Sequence, residues 1–425
     1  MKIEMDGGLK IKWTLYITLI VLFIFVCVSE VGPLTSLKIP ILSSHEEPSS
    51  KYVIVFDGGS TATRLHVFCF ANSSSGHLSL KREHFEEFKP GLSNFANEPE
   101  KAAISVYQLL EKAKQYVPPD SWDETPISLK ATAGLRLLPS QLSDAILEEV
   151  SKTIKQSPFV SNENSVSVLD EEDEGLFAWY TLNFLLGRLT DPSRSVASMD
   201  LGGGSIQVTF TPVDLDTLVF SPKSYVVSRK IQNKTLSIYS HSYLGLGLMA
   251  ARLAILQLSN EKTDDPPNGK DVSFQSPCIY PSKKSHVWNY DQKEFALRGR
   301  KDGKYGFKYC YEKAVEFLGD TVDQPEELMK RDIYALSYFY DRSYDMQLFG
   351  KMGGIISVGE FMNACKNVCE EKIKDQPLLC LDCSYISALL HHGLGLDKKK
   401  ELLMGKRING IETSWGLGAA FNMIL

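Results

Sequence analysis

Two short stretches of this sequence combine residue types that handle phosphate. Residues 55–61 read VFDGGST and residues 199–205 read MDLGGGS, so each sets an aspartate, a glycine turn and a hydroxyl residue after an apolar run. Glycines let a backbone come close to a phosphate, and successive N–H groups in such a turn form an anion-binding concavity. Asp57 and Asp200 each end an apolar run, where a carboxylate can hold a hydrated Mg²⁺ or Ca²⁺. For either aspartate alone the competing reading is a residue capping its own turn, and the repeated context weakens it. Both glycine turns run on into another strand, whereas dinucleotide-binding and Walker loops open a helix. Neither carries the Walker Gly-Lys-Ser/Thr. The repeat, about one domain length apart, predicts two similar halves facing each other across a cleft.

Hydrolysis also needs a base to take a proton from water. The acidic run Asp170-Glu171-Glu172-Asp173-Glu174 supplies candidates. Most read as a solvated helix start, where carboxylates suit the helix dipole. Glu174 is expected to turn inward, because Leu176, Phe177 and Trp179 begin the apolar face. Ser205 and Gln207 are two apart in a strand, so they share a face and could position water. No Ser–His–Asp grouping stands out, and the eight histidines, including His391 and His392, read as surface residues. Direct attack by water follows.

The elements that must position these groups alternate between strand and helix, which means an α/β protein. Strands are expected at YVIVF, TRLHVFCF, ISLKA, SVSVLD, SVASMD and IQVTF. Helices are expected over 100–117, 140–156, 171–186 and 243–258, with a capping box from Ser357 to Glu360 opening another. TDDPPNGK at 263–270 reads as a surface loop. The chain has 425 residues and a net charge of −6, with 43% hydrophobic residues, enough for two domains and a full core. That mild acidity excludes a general nucleic-acid binder.

Residues 13–29 are uncharged and mostly apolar, follow Lys2, Lys10 and Lys12, and precede a Pro/Ser-rich stretch. Seventeen residues is the lower end for a membrane span, and no small-x-small cleavage site follows. An uncleaved anchor is the favoured reading and a cleaved signal peptide the alternative. Either way the body is lumenal or extracellular. The triplets at Asn72 and Asn233 fit glycosylation there. Cys365, Cys369, Cys380 and Cys383 read C-x3-C-x10-C-x2-C, a zinc pattern in a reducing compartment and two disulfides in an oxidising lumen; disulfides are preferred. Cys69 reads as a buried apolar residue, with an odd thiol left free.

Five motifs in order, VIVFDGGSTATRLHVF, KATAGLRLLP, VLDEEDEGLFAWYTLNFLLG, SMDLGGGSIQVTF and SWGLGAAFNM, make the sequence resemble the apyrase-like nucleoside di- and triphosphatases, also called ectonucleoside triphosphate diphosphohydrolases. The resemblance runs from residue 53 almost to the C-terminus. It implies an actin-like fold of two RNase H-like domains, here 51–168 with 405–425 and 169–404, after an anchor and stem at 1–50. It implies Glu174 as catalytic base, Ser205 and Gln207 holding the attacking water, and Asp57 and Asp200 binding a divalent cation, Mg²⁺ or Ca²⁺, through its waters. Gly59, Ser60, Thr61, Arg64, Thr132, Ala133, Gly134, Gly202, Gly203 and Gly204 match the phosphate-facing positions. Gly58 departs from the commoner Asp-Ala-Gly.

A single N-terminal anchor, Arg64 and the run IYALSYFYDRSYD resemble the secretory-pathway members that prefer UDP and GDP; Tyr340 lies where the family stacks the nucleobase, with core packing as the other reading. The resemblance implies disulfides Cys278–Cys310 and Cys369–Cys380. Cys365 and Cys383 are extra to it, and their pairing with each other is an assumption. The expectation is thus a monomeric type II membrane protein of the Golgi or endoplasmic reticulum lumen, secreted if the anchor is cut, hydrolysing nucleoside diphosphates left by glycosyltransferases. A broad apyrase is the nearest alternative; an actin-fold kinase or chaperone ATPase and a catalytically silent scaffold fit less well.

Overall fold

The computed structural model describes residues 50–72, 78–189, 191–231, 234–259, 272–290, 293–370 and 376–424. The segment at 13–29, Cys27, Asn233 and the expected loop at 263–270 lie outside them. Among the described residues no helix is long and apolar enough to cross a membrane.

Two sheets repeat one strand order. The first contains β1 (Ser50–Gly58), β2 (Thr63–Asn72), β3 (Leu78–Phe88), β4 (Ile127–Ala131) and β5 (Val166–Val168), in the order β3-β2-β1-β4-β5. β1 and β2 form an antiparallel hairpin around Gly59–Thr61, and β4 and β5 join in parallel. The second contains β6 (Ala197–Leu201), β7 (Ser205–Phe210), β8 (Val226–Ile231) and β9 (Lys234–Leu244). After a small three-stranded sheet of β10 (Val272–Ser276), β11 (His286–Tyr290) and β12 (Lys293–Gly299), it is completed by β13 (Ile333–Ser337), β14 (Gly354–Ser357) and β15 (Glu401–Met404). Its inner order, β9-β7-β6-β13-β15, has the same two antiparallel and two parallel pairings as the first sheet. β8 and β14 extend its edges. The hairpin echo read in the sequence is therefore a repeated topology.

Helices cover the faces. Pro99–Tyr116 starts with proline at its first position, where the missing N–H costs nothing, and stops ahead of Pro118. With Ser140–Lys155 it covers one face of the first sheet, burying Ile54, Phe56, Leu65 and Val67 against Val106, Leu110, Ile146 and Val150. The other face, Val53, Val55, Phe68 and Phe70, packs on Phe177 and Leu182 of helix Glu171–Leu185 and on Leu417, Ala420 and Phe421 of helix Gly416–Ile424. These two helices touch at Gly418, whose N–H donates to Thr181 Oγ1 at 2.9 Å.

One expected element is corrected. The helix read over 243–258 begins only at Leu248, because β9 runs on to Leu244 and pairs with β7. Gly245, at φ +86°, and Gly247 make the turn between them, and a side chain on Gly247 would sit 2.3 Å from the Ser205 nitrogen. The capping box is present: Glu360 N–H donates to Ser357 Oγ at 3.1 Å and Ser357 N–H to Glu360 Oε2 at 2.7 Å.

Three disulfides join Cys278 to Cys310, Cys365 to Cys383 and Cys369 to Cys380. The last two staple helix Val358–Glu370 to helix Leu379–Ala388 and use every thiol of the C-x3-C-x10-C-x2-C run, which removes them as zinc thiolates. Cys69 is free and buried in β2.

A Cβ on Gly418 would lie 2.2 Å from the Phe177 carbonyl oxygen. Gly418→Val is expected to lower stability by about 2–4 kcal/mol through this overpacking, measured by urea unfolding against wild type.

Candidate active site

The turns after β1, β4 and β6 meet at one point. A Cβ on Gly134 would lie 2.7 Å from Ser60 Cα, one on Gly203 2.2 Å from Ser60 Oγ, and one on Gly91 2.3 Å from the Gly59 carbonyl oxygen. The Ser60 loop is thus enclosed by three glycines that leave no space for a side chain. Thr132 N–H donates to the Gly58 carbonyl at 3.2 Å, tying the third turn to the first. Met249 and Ala250 donate to the Gly203 carbonyl, fixing the loop at 202–204 against the start of helix Leu248–Ser259. Ala133 and Gly134 are buried behind Thr132.

These loops open on a cleft of about 520 Å³. Asp57, Gly59, Ser60, Thr61, Arg64, Thr132, Glu174, Asp200, Gly202, Gly203 and Gln207 all line it. Ser205 is buried just behind, where Gln207 Nε2 donates to its hydroxyl at 2.7 Å and to the Ser242 hydroxyl at 2.8 Å. Spending both amide hydrogens on hydroxyls fixes the Gln207 side chain and leaves its carbonyl oxygen as an acceptor.

Glu174 is 8% exposed. It sits in the first turn of its helix, which Asp170 caps by accepting from Glu172 N–H at 3.0 Å. The next residue is Gly175, and a Cβ there would lie 2.6 Å from Thr209 Oγ1, so only glycine lets this helix start rest on β7. Arg136 Nη2 donates to Glu174 Oε2, and Arg136 Nη1 to the Leu169 carbonyl at 3.2 Å. Burial pushes the Glu174 carboxyl up to about 7; Arg136 pulls it down, while Asp200 and Asp57 add to the rise. A buried carboxyl near 7 is suited to exchange a proton with water at neutral pH.

Asp57 accepts from Arg64 Nη1 at 2.8 Å through Oδ2, while its Oδ1 is buried without a partner. Burial works against the charge of Arg64, yet Asp57 outweighs it and raises the guanidinium's pKa. Asp200 Oδ1 is likewise buried and unpartnered, and burial raises its carboxyl against a hydrogen bond from Ser337. Two unpaired carboxylate oxygens from matched positions, both in the cleft wall, suit a hydrated divalent cation, which takes few protein ligands.

Tyr340 lies off the cleft lining. It is 5% exposed, donates its hydroxyl to the Lys351 carbonyl at 2.8 Å, and packs between Tyr344 and Phe349 with Lys406 Nζ 5.4 Å over its ring. Tyr338 of the same helix, Tyr338–Asp345, is the ring that lines the cleft. Asn72 ends β2.

A model of one protein family matches residues 43–424, nearly the whole chain. The chain belongs to the GDA1/CD39 (nucleoside phosphatase) family. It is 42% identical over 379 residues to ectonucleoside triphosphate diphosphohydrolase 5 of Gallus gallus, covering 88% of this chain and 87% of that protein. It is 41% identical over 383 residues to nucleoside diphosphate phosphatase ENTPD5 of Homo sapiens, covering 88% of each. Ectonucleoside triphosphate diphosphohydrolase 6 of Mus musculus is 42% identical, with 88% and 82% covered. Among solved structures, one of nucleoside triphosphate hydrolases from Neospora caninum aligns with a TM-score of 0.63 at 15% identity, covering 89% of this chain and 93% of that one. The likeness is one of fold, and the fold is actin-like.

Several residues of the site escaped the sequence reading. Arg136 lies inside the KATAGLRLLP motif, but its partner is 38 residues away. Ser242 lies in β9, one residue ahead of the segment read as helix, where the sequence reading assigned no element. His66, read with the surface histidines, is fully buried, its Nδ1 2.7 Å from Glu83 Oε1. Both faces of β2 are covered, so no polar face exists there for it to occupy.

Arg136 holds Glu174 toward its ionised form, so its removal raises the carboxyl's pKa. In Arg136→Gln the acid limb of the pH–kcat/KM profile is therefore expected to move upward by about one pH unit or more, with activity at low pH lost first.

Proposed function

We propose that the protein hydrolyses nucleoside diphosphates, UDP and GDP, to the monophosphate and inorganic phosphate, with Mg²⁺ or Ca²⁺ as cofactor. One observation carries the reading: a buried carboxyl near 7, Glu174, faces a cleft built from two matched Asp–glycine hairpins. The names of its relatives, nucleoside diphosphate phosphatase and ectonucleoside triphosphate diphosphohydrolase, support it.

In this mechanism the terminal phosphate lies against the N–H groups of Gly59–Thr61 and of Gly203 and Gly204, which face charge as it develops on the phosphoryl oxygens. The Gly202 N–H instead closes its own turn on the Ser205 carbonyl at 3.0 Å. Ser205 and the free carbonyl oxygen of Gln207 hold a water behind the phosphorus. Arg136 occupies Glu174 Oε2, so Oε1 takes the proton as the water oxygen bonds to phosphorus and the bond to the bridging oxygen breaks. The leaving group is the nucleoside monophosphate. Asp57 and Asp200 would hold the cation through its waters; when bound it neutralises charge on the phosphate oxygens.

The three disulfides favour an oxidising compartment, and we place the body in the Golgi or endoplasmic reticulum lumen, monomeric and anchored by residues 13–29, or secreted if that segment is cut. Glycans at Asn72 and Asn233 fit that site, and the proposed division into 51–168 with 405–425 and 169–404 follows the two sheets.

Phosphate release by the purified full chain from UDP, GDP, ADP and ATP, with Mg²⁺ or Ca²⁺, is the test. UDP and GDP are expected to be fastest, and EDTA to abolish release. Glu174→Ala is expected to lose about 10²-fold or more in kcat. ATP as the fastest substrate would replace this reading with the broad apyrase; full turnover in Glu174→Ala would overturn the mechanism.

A further inference from the structure

Helix Tyr338–Asp345 begins where β13 ends, and β13 lies beside β6, with Leu336 in register with Asp200. Its first residue, Tyr338, is therefore beside the glycine loops and lines the cleft together with Thr61. Arg342 is four residues on, on the same face and about 6 Å farther out along the axis. It also lines the cleft, with its Cζ 5.8 Å from the Tyr338 ring.

The Arg342 guanidinium is held on two sides. Nη1 donates to Asp382 Oδ2 at 3.1 Å and Nη2 pairs with Asp345 Oδ2 at 3.0 Å. Asp382 is wholly buried and also takes Nε and Nη2 of Arg252, which is 7% exposed. A carboxylate this deep is stable only when fully paired, and here two arginines share it. Its helix, Leu379–Ala388, is fixed on both sides of Asp382 by the disulfides of Cys380 and Cys383. Asp345 is partly open to water, so it neutralises Arg342 less completely than a buried carboxylate would. The cleft wall one turn beyond the loop at 59–61 thus carries a rigidly aimed cation.

We propose that Arg342 binds the inner, ester-linked phosphate of the nucleoside diphosphate, and that Asp382 is a positioning residue that aims it. The inference rests on the diphosphatase reading and adds a contact to it. With the terminal phosphate in the glycine loops, the inner phosphate lies farther toward the mouth, on the side where Arg342 stands. A planar guanidinium suits two oxygens of that group. The disulfide-stapled helix therefore acts on substrate binding through a chain of contacts, Asp382 to Arg342, without lining the phosphate loops.

The test uses the full chain carrying Arg342→Gln, Arg342→Lys or Asp382→Asn. Arg342→Gln is expected to raise KM for UDP and GDP about tenfold or more, the scale of one lost charge-assisted hydrogen bond, with kcat changed less than about threefold. Arg342→Lys should recover part of the loss, and Asp382→Asn should shift KM in the same direction. Competitive inhibition by UMP, which keeps the ester-linked phosphate, should weaken in parallel, while inhibition by inorganic phosphate stays unchanged. A fall in kcat at constant KM, or an unchanged UMP inhibition constant in Arg342→Gln, overturns the proposal. Asp382 is buried and its variant could unfold; Arg342 is partly exposed, so its two variants decide the matter alone. Wild-type turnover of UDP and GDP tests the diphosphatase reading separately. If that turnover is missing, calorimetric binding of UMP and of phosphate to wild type and Arg342→Gln still reads the Arg342 contact.

Discussion

The structure turns on the crowding around Ser60. Three chain segments that are distant in sequence approach this residue so closely that Gly91, Gly134 and Gly203 have no space for a Cβ. Main chain against main chain is the only packing that brings several N–H groups to one small volume without a basic side chain in between. Everything else in the site is arranged around that contact: the two Asp-bearing strand ends, the helix start bearing Glu174, and Arg136 on the short turn behind Thr132. It also gives a chain with net charge −6 a cleft lined by backbone N–H groups. The positive character comes from oriented amides and from basic side chains, of which Arg64 and Arg342 are tied to carboxylates and Arg407 to the Gly410 carbonyl.

Three arginines at the cleft are tied to carboxylates. Arg64 is held by Asp57, Arg136 by Glu174, and Arg342 by Asp382. Each pair is at least partly buried, so each charge has a fixed direction as well as a sign. Two exceptions stand out. Asp57 Oδ1 and Asp200 Oδ1 are buried and unpaired, one from each half, at equivalent positions of the repeated hairpin. The duplicated topology has produced a pair of open acceptors in the cleft wall, an arrangement suited to a hydrated divalent cation.

Much of this was legible in the sequence because it is local. The glycine turns, the aspartates before them, and the inward side of Glu174 all follow from residue type and from neighbours within one turn of chain. The strand-to-strand hairpins excluded other nucleotide loops for the same reason. What escaped depends on partners far along the chain. Arg136 is an ordinary helix residue until the helix of Glu174 folds beside it, and Asp382 resembles any acid in a C-x2-C segment until Arg252 and Arg342 close on it. Ser242 lies just ahead of the segment read as helix and was assigned to no element, and only pairing with Gln207 on β7 makes it strand. His66 was read as exposed because a strand with both faces covered has no alternation to announce which side a polar residue faces.

The helix at 416–424 has a consequence for how the chain matures. Val53, Val55, Phe68 and Phe70 form one face of the first sheet, and Phe421 closes it, its ring 5.4 Å from that of Phe70 and 4.5 Å from that of Phe184. Strands β1 and β2 are among the first described residues to leave the ribosome, yet part of their apolar cover, Leu417, Ala420 and Phe421, is made after more than three hundred further residues. Until then helix Glu171–Leu185 supplies only part of the cover, and this face of the first sheet cannot complete its core. The early sheet must wait for the late helix, so a chain ending before residue 416 would leave part of this face open to water.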